Sequence, residues 1–312
     1  MAITVQILGS SSATPVFNRH HSAQYLCVEK EHFLIDCGEG TQMQLKHYGV
    51  KSQKINHIFI SHLHGDHYLG LVGFISTLHL NGRKEKLHIY GPYGLMEIIT
   101  VQFKYSETLL NYPLQFHEID PNQPAIIFEN NDLTVSTVPL KHRIACTGFV
   151  FREKPKKLRI NKELLPEGLL LQEIADLKKG LDIFDAAGNV LYKNEAFTLP
   201  PKPNGSYAYM SDTIFDESIV PFLQNIDLLY HEATFATDLA DRAKMTFHST
   251  AFQAATIASL ANVKKLLIGH FSSRYKNLDI LLEEAVAKFP NTALALEGLT
   301  FSLETDSLNF KF

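Results

Sequence analysis

Four side chains that can bind metal ions stand within six positions of one another. They are His62, His64, Asp66 and His67, in the stretch Ser61-His-Leu-His-Gly-Asp-His67. Imidazole and carboxylate groups are typical ligands of Zn²⁺ and, less selectively, of Mn²⁺ or Fe²⁺. Buried in an ordinary core, each would need its own hydrogen-bonding partner, and packing alone does not require the cluster. The spacing therefore predicts a metal site on a loop after an apolar strand.

One loop cannot complete two coordination spheres, so further ligands should come from other strand ends. A single His or Asp after a strand is usually a cap or a surface residue, but a shared placement predicts that several meet at one sheet edge. A carboxylate among them could bridge two metal ions about 3.5–4 Å apart, a spacing that suits phosphoester hydrolysis. The candidates, with the predicted strand that each follows, are His142 (133–138, then a turn at Pro139), Asp212 (207–210) and His270 (265–269).

A second pair of residues could move a proton. Glu232 follows a predicted strand, and His248 precedes a predicted helix over 249–261. Ser249 or Thr250 could simply cap that helix, which would leave His248 without a special role. Alternatively, Glu232 accepts a hydrogen bond from His248, which orients the imidazole and favours its protonated form. The spacing leaves both interpretations open.

Apolar runs typical of strands alternate with helical patterns after about residue 60, which predicts a layered α/β protein with mixed sheets. The predicted strands cover 3–8, 24–29, 32–36, 57–60, 87–90, 125–128, 133–138, 147–151, 207–210, 227–230 and 265–269. The predicted helices cover 41–48, 69–80, 93–105, 216–224, 249–261 and 278–288.

Residues 152–206 interrupt this alternation. The segment begins with Arg152–Lys162, which contains six basic residues and one acidic residue, and ends in a Pro/Gly-rich return. We predict an arm that is inserted in the main body and protrudes from it. The pattern is equally compatible with an ordinary surface subdomain whose charges are solvated.

Composition narrows the class of protein. The chain has 312 residues, of which 45% are hydrophobic, and a formal charge of −4 from 29 basic and 33 acidic residues. These values exclude intrinsic disorder and a basic nucleic-acid coat protein, although a local basic patch is compatible with them. Cys27, Cys37 and Cys146 have no CxxC spacing, so a disulfide framework is not expected. With no signal peptide and no apolar run of about 18 residues, we expect a cytoplasmic protein that does not bind membranes.

The metal-binding motif with His142, Asp212 and His270 downstream resembles the metallo-β-lactamase superfamily. Within it, the chain resembles the ribonuclease Z family, endonucleases that mature tRNA 3′ ends. The segments that carry the narrower resemblance are Asp36–Gln42, Ile60–His67, His231–Thr234 with His248–Thr250, and Gly269–Tyr275.

The resemblance implies a fold, a substrate and partners. The fold would be a four-layer αβ/βα sandwich of two mixed sheets flanked by helices, within a single catalytic domain over 1–312. The arm at 152–206 would bind the elbow of precursor tRNA, usually on the partner subunit of a homodimer. No DNA partner is expected.

The resemblance also implies residue roles, with two Zn²⁺ ions per subunit, or Mn²⁺ or another divalent metal. His62, His64 and His142 would hold one ion, Asp66, His67 and His270 the other, and Asp212 would bridge. A metal-bound hydroxide would attack the phosphodiester, with Asp66 helping to position or deprotonate the water. His248, supported by Glu232, would assist the departing ribose 3′-oxygen, leaving a 3′-hydroxyl on the tRNA and a 5′-phosphate on the trailer. Asp36 would orient ligands rather than bind metal.

The sequence departs from the family pattern at three places. Leu169 stands where the arm usually has proline, and Ser211 stands where glycine usually precedes the bridging aspartate. In the loop associated with the choice of cleavage site, Phe17 replaces a basic or polar residue, while Arg19 is kept. None of these positions is a predicted metal ligand.

Two other functions remain as alternatives. The first is a hydrolase on the same scaffold that acts on a small phosphodiester or thioester, for which a distant arm would serve no purpose. The second is a non-catalytic nucleic-acid-binding protein, which would have no need for the complete ligand set. Deletion of the arm would distinguish the first alternative from a tRNA endonuclease, because a small-substrate hydrolase should keep its full activity. Metal analysis would distinguish the second alternative, because a binding protein need not hold two metal ions.

Overall fold

The computed structural model describes residues 3–14, 16, 18–303 and 309–310. Pro15 and Phe17 lie outside the described residues, and with them part of the loop associated with cleavage-site choice. Within the described part of the chain, the structure contains no helix with the length and apolar character that a membrane crossing requires.

The secondary structure consists mainly of short elements. The strands are β1 (Thr4–Gly9), β2 (Ala23–Val28), β3 (Glu31–Ile35), β4 (His57–Phe59), β5 (Leu87–Gly91), β6 (Leu114–Glu118), β7 (Ile126–Glu129), β8 (Leu133–Leu140), β9 (Cys146–Glu153), β10 (Arg159–Ile160), β11 (Ile183–Phe184), β12 (Val190–Tyr192), β13 (Thr198–Leu199), β14 (Ser206–Met210), β15 (Leu228–Glu232), β16 (Lys265–Gly269), β17 (Thr292–Leu294), β18 (Leu299–Ser302) and β19 (Asn309–Phe310). The α-helices are α1 (Thr41–His47), α2 (Gly65–Tyr68), α3 (Leu71–Leu80), α4 (Leu95–Tyr105), α5 (Leu171–Leu177), α6 (Asn194–Phe197), α7 (Ala240–Thr246), α8 (Ala251–Leu260) and α9 (Asp279–Lys288).

Two mixed sheets form the body of the protein. The first has the strand order β19-β18-β1-β2-β3-β4-β5-β6, and β3 to β6 are parallel. The second has the order β17-β16-β15-β14-β9-β8-β7, and β14 to β17 are parallel. In each sheet, the parallel strands end at a common edge, where the loops that follow them can share a site.

The sheets pack face to face, and helices cover their outer faces. The inner core between them includes Phe33 and Phe59 from the first sheet and Phe151 and Tyr209 from the second. Helices α1, α3 and α4 pack on the first sheet, and α8 and α9 pack on the second. Strands β14 and β15 are buried along their whole length, as expected for central parallel strands covered on both faces. The predicted four-layer αβ/βα sandwich is confirmed.

The segment predicted as an arm leaves and rejoins the second sheet between two neighbouring antiparallel strands, β9 and β14. The sheet extends to Glu153 and resumes at Ser206, so residues 154–205 lie outside it. They form the pairs β10–β13 and β11–β12 with the short helices α5 and α6. The end residues of the predicted range, Arg152 and Ser206, pair with each other in the main sheet.

Three other details correct the sequence-based elements. Pro139 does not form a turn but lies inside β8, paired with Thr147. It is tolerated because the pairing of β7 with β8 ends at Ser136, so no neighbouring strand needs a hydrogen bond from Pro139 on that side. The helix predicted over 216–224 is a 3₁₀ helix that contains Pro221. Strands β6, β10 to β13 and β17 to β19, and helices α2 and α5 to α7, were not predicted.

Candidate metal centre

The predicted ligands come together where the two sheets meet. Loops after β4, β8, β14 and β16 carry them, and α2 holds Asp66 and His67. Backbone bonds join the two sheets here, from the amide of Thr147 to the carbonyl of Ser61 at 3.1 Å and from Phe271 to Ser10 at 2.8 Å. The edge is therefore a rigid frame for the side chains around it.

The first group of candidate ligands contains His62, His64, His142 and Asp212, whose ligand atoms lie within 4.8 Å of one another. His64 Nδ1 is 3.0 Å from His62 Nε2 and 3.1 Å from His142 Nε2. Asp212 Oδ2 is 3.6 Å from His62 Nε2 and 3.8 Å from His142 Nε2. Three nitrogens and one oxygen at these distances can surround one divalent ion.

The second group contains Asp66, His67 and His270, all of them buried. The Nε2 atoms of His67 and His270 are 3.3 Å apart, and Asp66 Oδ2 is 3.4 Å and 3.3 Å from them respectively. The backbone amide of Ala13 donates to the same Asp66 oxygen at 2.7 Å, which fixes the carboxylate.

Asp212 lies between the two groups. Its Oδ1 is 3.4 Å from His67 Nε2 and 3.2 Å from His270 Nε2, whereas its Oδ2 faces the first group. Oδ1 is buried and has no hydrogen-bond partner among the described residues. A buried carboxylate oxygen without a donor is costly unless a cation is bound there. The geometry thus fits a carboxylate that bridges two metal ions.

Four of the five histidines use their outer nitrogen for a hydrogen bond within the protein, so that Nε2 faces the centre. The pairs are His62 Nδ1 with Ser61 Oγ at 3.0 Å, His67 Nδ1 with Asp36 Oδ2 at 2.7 Å, His142 Nδ1 with the carbonyl of Phe247 at 2.8 Å, and His270 Nδ1 with Thr234 Oγ1 at 2.9 Å. Such partners set the tautomer and orientation of metal-binding histidines.

The charges of the site call for a cation. Burial lowers the pKa of His62, His64 and His142, which keeps these imidazoles neutral and able to coordinate a metal. Burial also opposes protonation of His67, but attraction to Asp212 and other carboxylates outweighs it and raises the pKa of His67 well above its ordinary value. The carboxylates around His67 thus create a negative potential that would also attract a divalent ion.

Among the non-glycine residues with positive φ at this edge, two directly follow a strand of the main sheets. They are Asp36 after β3, with φ 55°, and His270 after β16, with φ 60°. This conformation is unfavourable for residues other than glycine and is often retained at functional sites. Here it turns Asp36 under the cluster and His270 into it.

Glu232 and His248 are in direct contact, as one of the two interpretations of their spacing requires. His248 Nδ1 lies 2.9 Å from Glu232 Oε1. Burial alone would raise the pKa of Glu232, but attraction to His248 outweighs it and the pKa falls to about 2. Burial likewise disfavours protonated His248, yet the Glu232 charge raises its pKa to about 9. Thr250 does cap α8, in addition to this contact.

A cavity of about 470 Å³ opens beside His248 and is lined by three arginines. Arg143, Arg242 and Arg274 are exposed there, and none forms an ion pair among the described residues. These arginines were not predicted as site residues, although Arg143 directly follows a predicted ligand and Arg274 lies in a segment that resembles the family. Guanidinium groups in this position can bind the phosphates of a nucleic-acid strand.

Several other histidines do not belong to the cluster. His57, His88 and His117 form a row on β4, β5 and β6, with ring centroids 5.0 Å and 5.2 Å apart. His231 lies inside β15 rather than after a strand, and its Nδ1 contacts the carbonyl of Glu232 at 2.7 Å.

Two stacked mixed sheets with a His/Asp cluster at their common edge define a hydrolase of the metallo-β-lactamase fold. The fold is shared with the metallo-β-lactamase fold protein YhfI of Bacillus subtilis, with a TM-score of 0.68 and 20% identity over 96% of this chain and 98% of that one. The family model described as Anti-Pycsar protein Apyc1 matches residues 3–161, which are half of the chain. This half of the chain belongs to that family.

Comparison with curated relatives identifies a narrower family. A ribonuclease Z from Cytophaga hutchinsonii is 51% identical over 295 residues, which cover 95% of this chain and 94% of the relative. The crystal structure of human tRNase Z, short form, superposes with a TM-score of 0.71 and 28% identity, over 96% of this chain and 99% of that one. The chain belongs to the ribonuclease Z family.

Proposed function

We propose that this protein is a metal-dependent endoribonuclease that removes the 3′ trailer from precursor tRNA. The observation that carries the proposal is the pair of ligand groups that share Asp212, next to the buried Glu232 with its partner His248 and a cavity lined by arginines. Family membership and the structure of human tRNase Z support tRNA as the substrate.

The residues present fit two divalent ions, and we propose that these are Zn²⁺. His62, His64 and His142 would hold one ion, Asp66, His67 and His270 the other, and Asp212 both. The mainly imidazole donor set favours Zn²⁺, while Mn²⁺ is compatible with it. When bound, such ions activate water at neutral pH and stabilise negative charge on the reacting phosphate.

The side chains of the chain itself would perform the remaining steps. Asp66, held by the amide of Ala13, would orient the attacking water. His248, protonated because of Glu232, would give its Nε2 proton to the departing ribose 3′-oxygen. Arg143 and Arg242 would hold phosphates of the bound strand. The products would be tRNA with a free 3′-hydroxyl and a trailer with a 5′-phosphate.

The arm would provide a second contact with tRNA, far from the reacting bond. We propose that it reaches the tRNA of the partner subunit in a homodimer, in the cytoplasm, and that DNA is not a substrate. Lys154 and Lys156 are held in ion pairs with Glu129 and Glu153. Other basic residues farther into the arm are exposed and therefore better placed to contact phosphates.

The proposed function predicts chelator-sensitive cleavage of a precursor tRNA with a 3′ extension. Cuts should map next to the discriminator base, and His64→Ala should lose them because the first metal position loses one of its three nitrogens. The assay is run with purified protein and end-labelled RNA, with a small phosphodiester in parallel. Hydrolysis of the small ester without any cleavage of precursor tRNA would contradict the proposed substrate.

The arm itself predicts a substrate-dependent effect. Lys157 and Lys162 are exposed, with no ion pair among the described residues. Replacing both with alanine should raise the KM for precursor tRNA about 10-fold and lessen its dependence on salt concentration, because two phosphate contacts are lost. Hydrolysis of a small phosphodiester should not change.

A matched pair of lysines provides the control. Lys51 and Lys54 are also exposed and near the opposite end of the first sheet from the cluster, so Lys51→Ala with Lys54→Ala removes the same charge elsewhere. If both double variants raise the KM for tRNA equally, the arm has no specific role in binding.

A further inference from the structure

Asp36 and Ser61 form a fully buried polar pair beneath the two groups of candidate ligands. Asp36 follows β3 and Ser61 lies just after β4, so the parallel strands bring them side by side. The backbone amide of Ser61 donates to Asp36 Oδ1 at 2.8 Å, and its hydroxyl donates to Asp36 Oδ2 at 2.9 Å. We call these two residues the Asp36–Ser61 pair.

The pair contacts one ligand of each group. Asp36 Oδ2 accepts a hydrogen bond from His67 Nδ1 at 2.7 Å. Ser61 Oγ, whose own hydrogen is directed to Asp36, lies 3.0 Å from His62 Nδ1 and can only accept from it. In both histidines this bond places the proton on Nδ1 and leaves the Nε2 lone pair facing the cluster.

Two side chains from one strand end support the pair from the second sheet. The hydroxyl of Tyr209, in β14, donates to Asp36 Oδ2 at 2.7 Å, and Ser211 Oγ, just after β14, donates to Ser61 Oγ at 3.0 Å. Burial and the adjacent Asp36 raise the pKa of Tyr209 well above its ordinary value, so the phenol remains a donor. Ser211 stands where the family pattern has glycine, so this chain has an additional donor.

We propose that Tyr209 and Ser211 are positioning residues that hold the Asp36–Ser61 pair, and through it His62 and His67, so that one network sets both metal positions. The inference rests on the proposed metal ligation. A carboxylate that accepts several donors keeps its orientation, whereas loss of one donor lets it rotate away from the histidine that it orients. Weakening the network should therefore weaken the binding of both ions together.

Tyr209→Phe tests this inference, and Tyr207→Phe is its matched control. Both tyrosines lie on β14 and are buried, but the Tyr207 hydroxyl donates to Gln24 and does not reach the Asp36–Ser61 pair. The two dissociation constants for Zn²⁺ are measured on metal-free protein by competition with a chromogenic chelator. Tyr209→Phe should weaken both binding steps about 10-fold, whereas Tyr207→Phe should leave both unchanged.

A second variant keeps the test decisive if Tyr209→Phe does not fold. Ser211→Gly restores the residue typical of the family and should weaken both steps about threefold, since one hydrogen bond to Ser61 is lost. Equal affinities in Tyr209→Phe and Tyr207→Phe would overturn the inference, as would weakening of only one step. Binding of fewer than two ions by the unmodified protein would instead count against the proposed metal centre. Urea unfolding of the metal-free forms separates loss of fold from loss of affinity.

Discussion

Asp212→Ala is expected to lower kcat/KM for precursor tRNA about 10³-fold or more. Asp212 is 2% exposed, and each of its carboxylate oxygens faces a different group of candidate ligands. Its removal takes the shared ligand from both metal positions. His67 and His270 then lose the Asp212 oxygen that lies 3.4 Å and 3.2 Å from their Nε2 atoms. Metal content should fall below two ions per subunit together with activity.

The cleavage rate and the number of bound metal ions are measured on the same protein preparation, so that the loss of activity can be compared directly with the loss of metal. Asp132→Ala is the matched control, since Asp132 is exposed in the turn before β8, at the other end of that strand from His142. Asp212→Asn keeps the shape but removes the charge, and should retain more metal than Asp212→Ala. A fully active Asp212→Ala protein with two bound ions would refute the bridging role.

The sequence was sufficient to predict the cluster because its ligands follow a simple rule. Each stands just after, or a few residues after, an apolar strand, and the strands of the two packed sheets that carry these residues end at the common edge of the sheets. That rule brought His142, Asp212 and His270 to the loop at His62. The end of β8 was predicted wrongly, because Pro139 was interpreted as a turn. Proline remains in this strand because β7 no longer pairs with β8 at that position.

Residues that support the ligands could not be predicted in the same way. Tyr209 has the pattern of a core residue, and only its tertiary contact with Asp36 at 2.7 Å distinguishes it from Tyr207. Arg242 lies on α7 with no local signal, yet it faces the same cavity as Arg274. These contacts join residues that are far apart in the sequence and depend on how the sheets and helices pack. They therefore cannot be predicted from the periodicity or spacing of residues.

His248→Ala is the second substitution with a large expected effect. It should lower kcat for precursor tRNA about 10²–10⁴-fold, the usual contribution of a positioned general acid, without lowering the metal content. His248 Nδ1 is bound to Glu232, which leaves Nε2 for the proposed proton transfer. Single-turnover rates and metal analysis together distinguish this outcome from that of a ligand variant such as His64→Ala.

The chemistry of the leaving group tests the role more directly. A precursor with sulfur in place of the 3′-oxygen at the cleavage site has a leaving group that needs no proton. On that RNA the difference between the unmodified protein and His248→Ala should nearly vanish. If His248→Ala remains as impaired on the sulfur-containing RNA as on the normal one, His248 does not act as the acid.

Glu232→Gln should change the pH profile in a defined direction. Because the Glu232 charge raises the pKa of His248 to about 9, the imidazolium persists through neutral pH and is lost only as the pH rises through that value. Glutamine removes this charge while burial continues to lower the pKa of His248, so the alkaline fall in kcat/KM should move to lower pH. An unshifted alkaline limb in Glu232→Gln, measured alongside a reduced rate, would mean that Glu232 only orients His248. A shifted limb would show that the carboxylate keeps the proton on the imidazole at the pH where the enzyme acts.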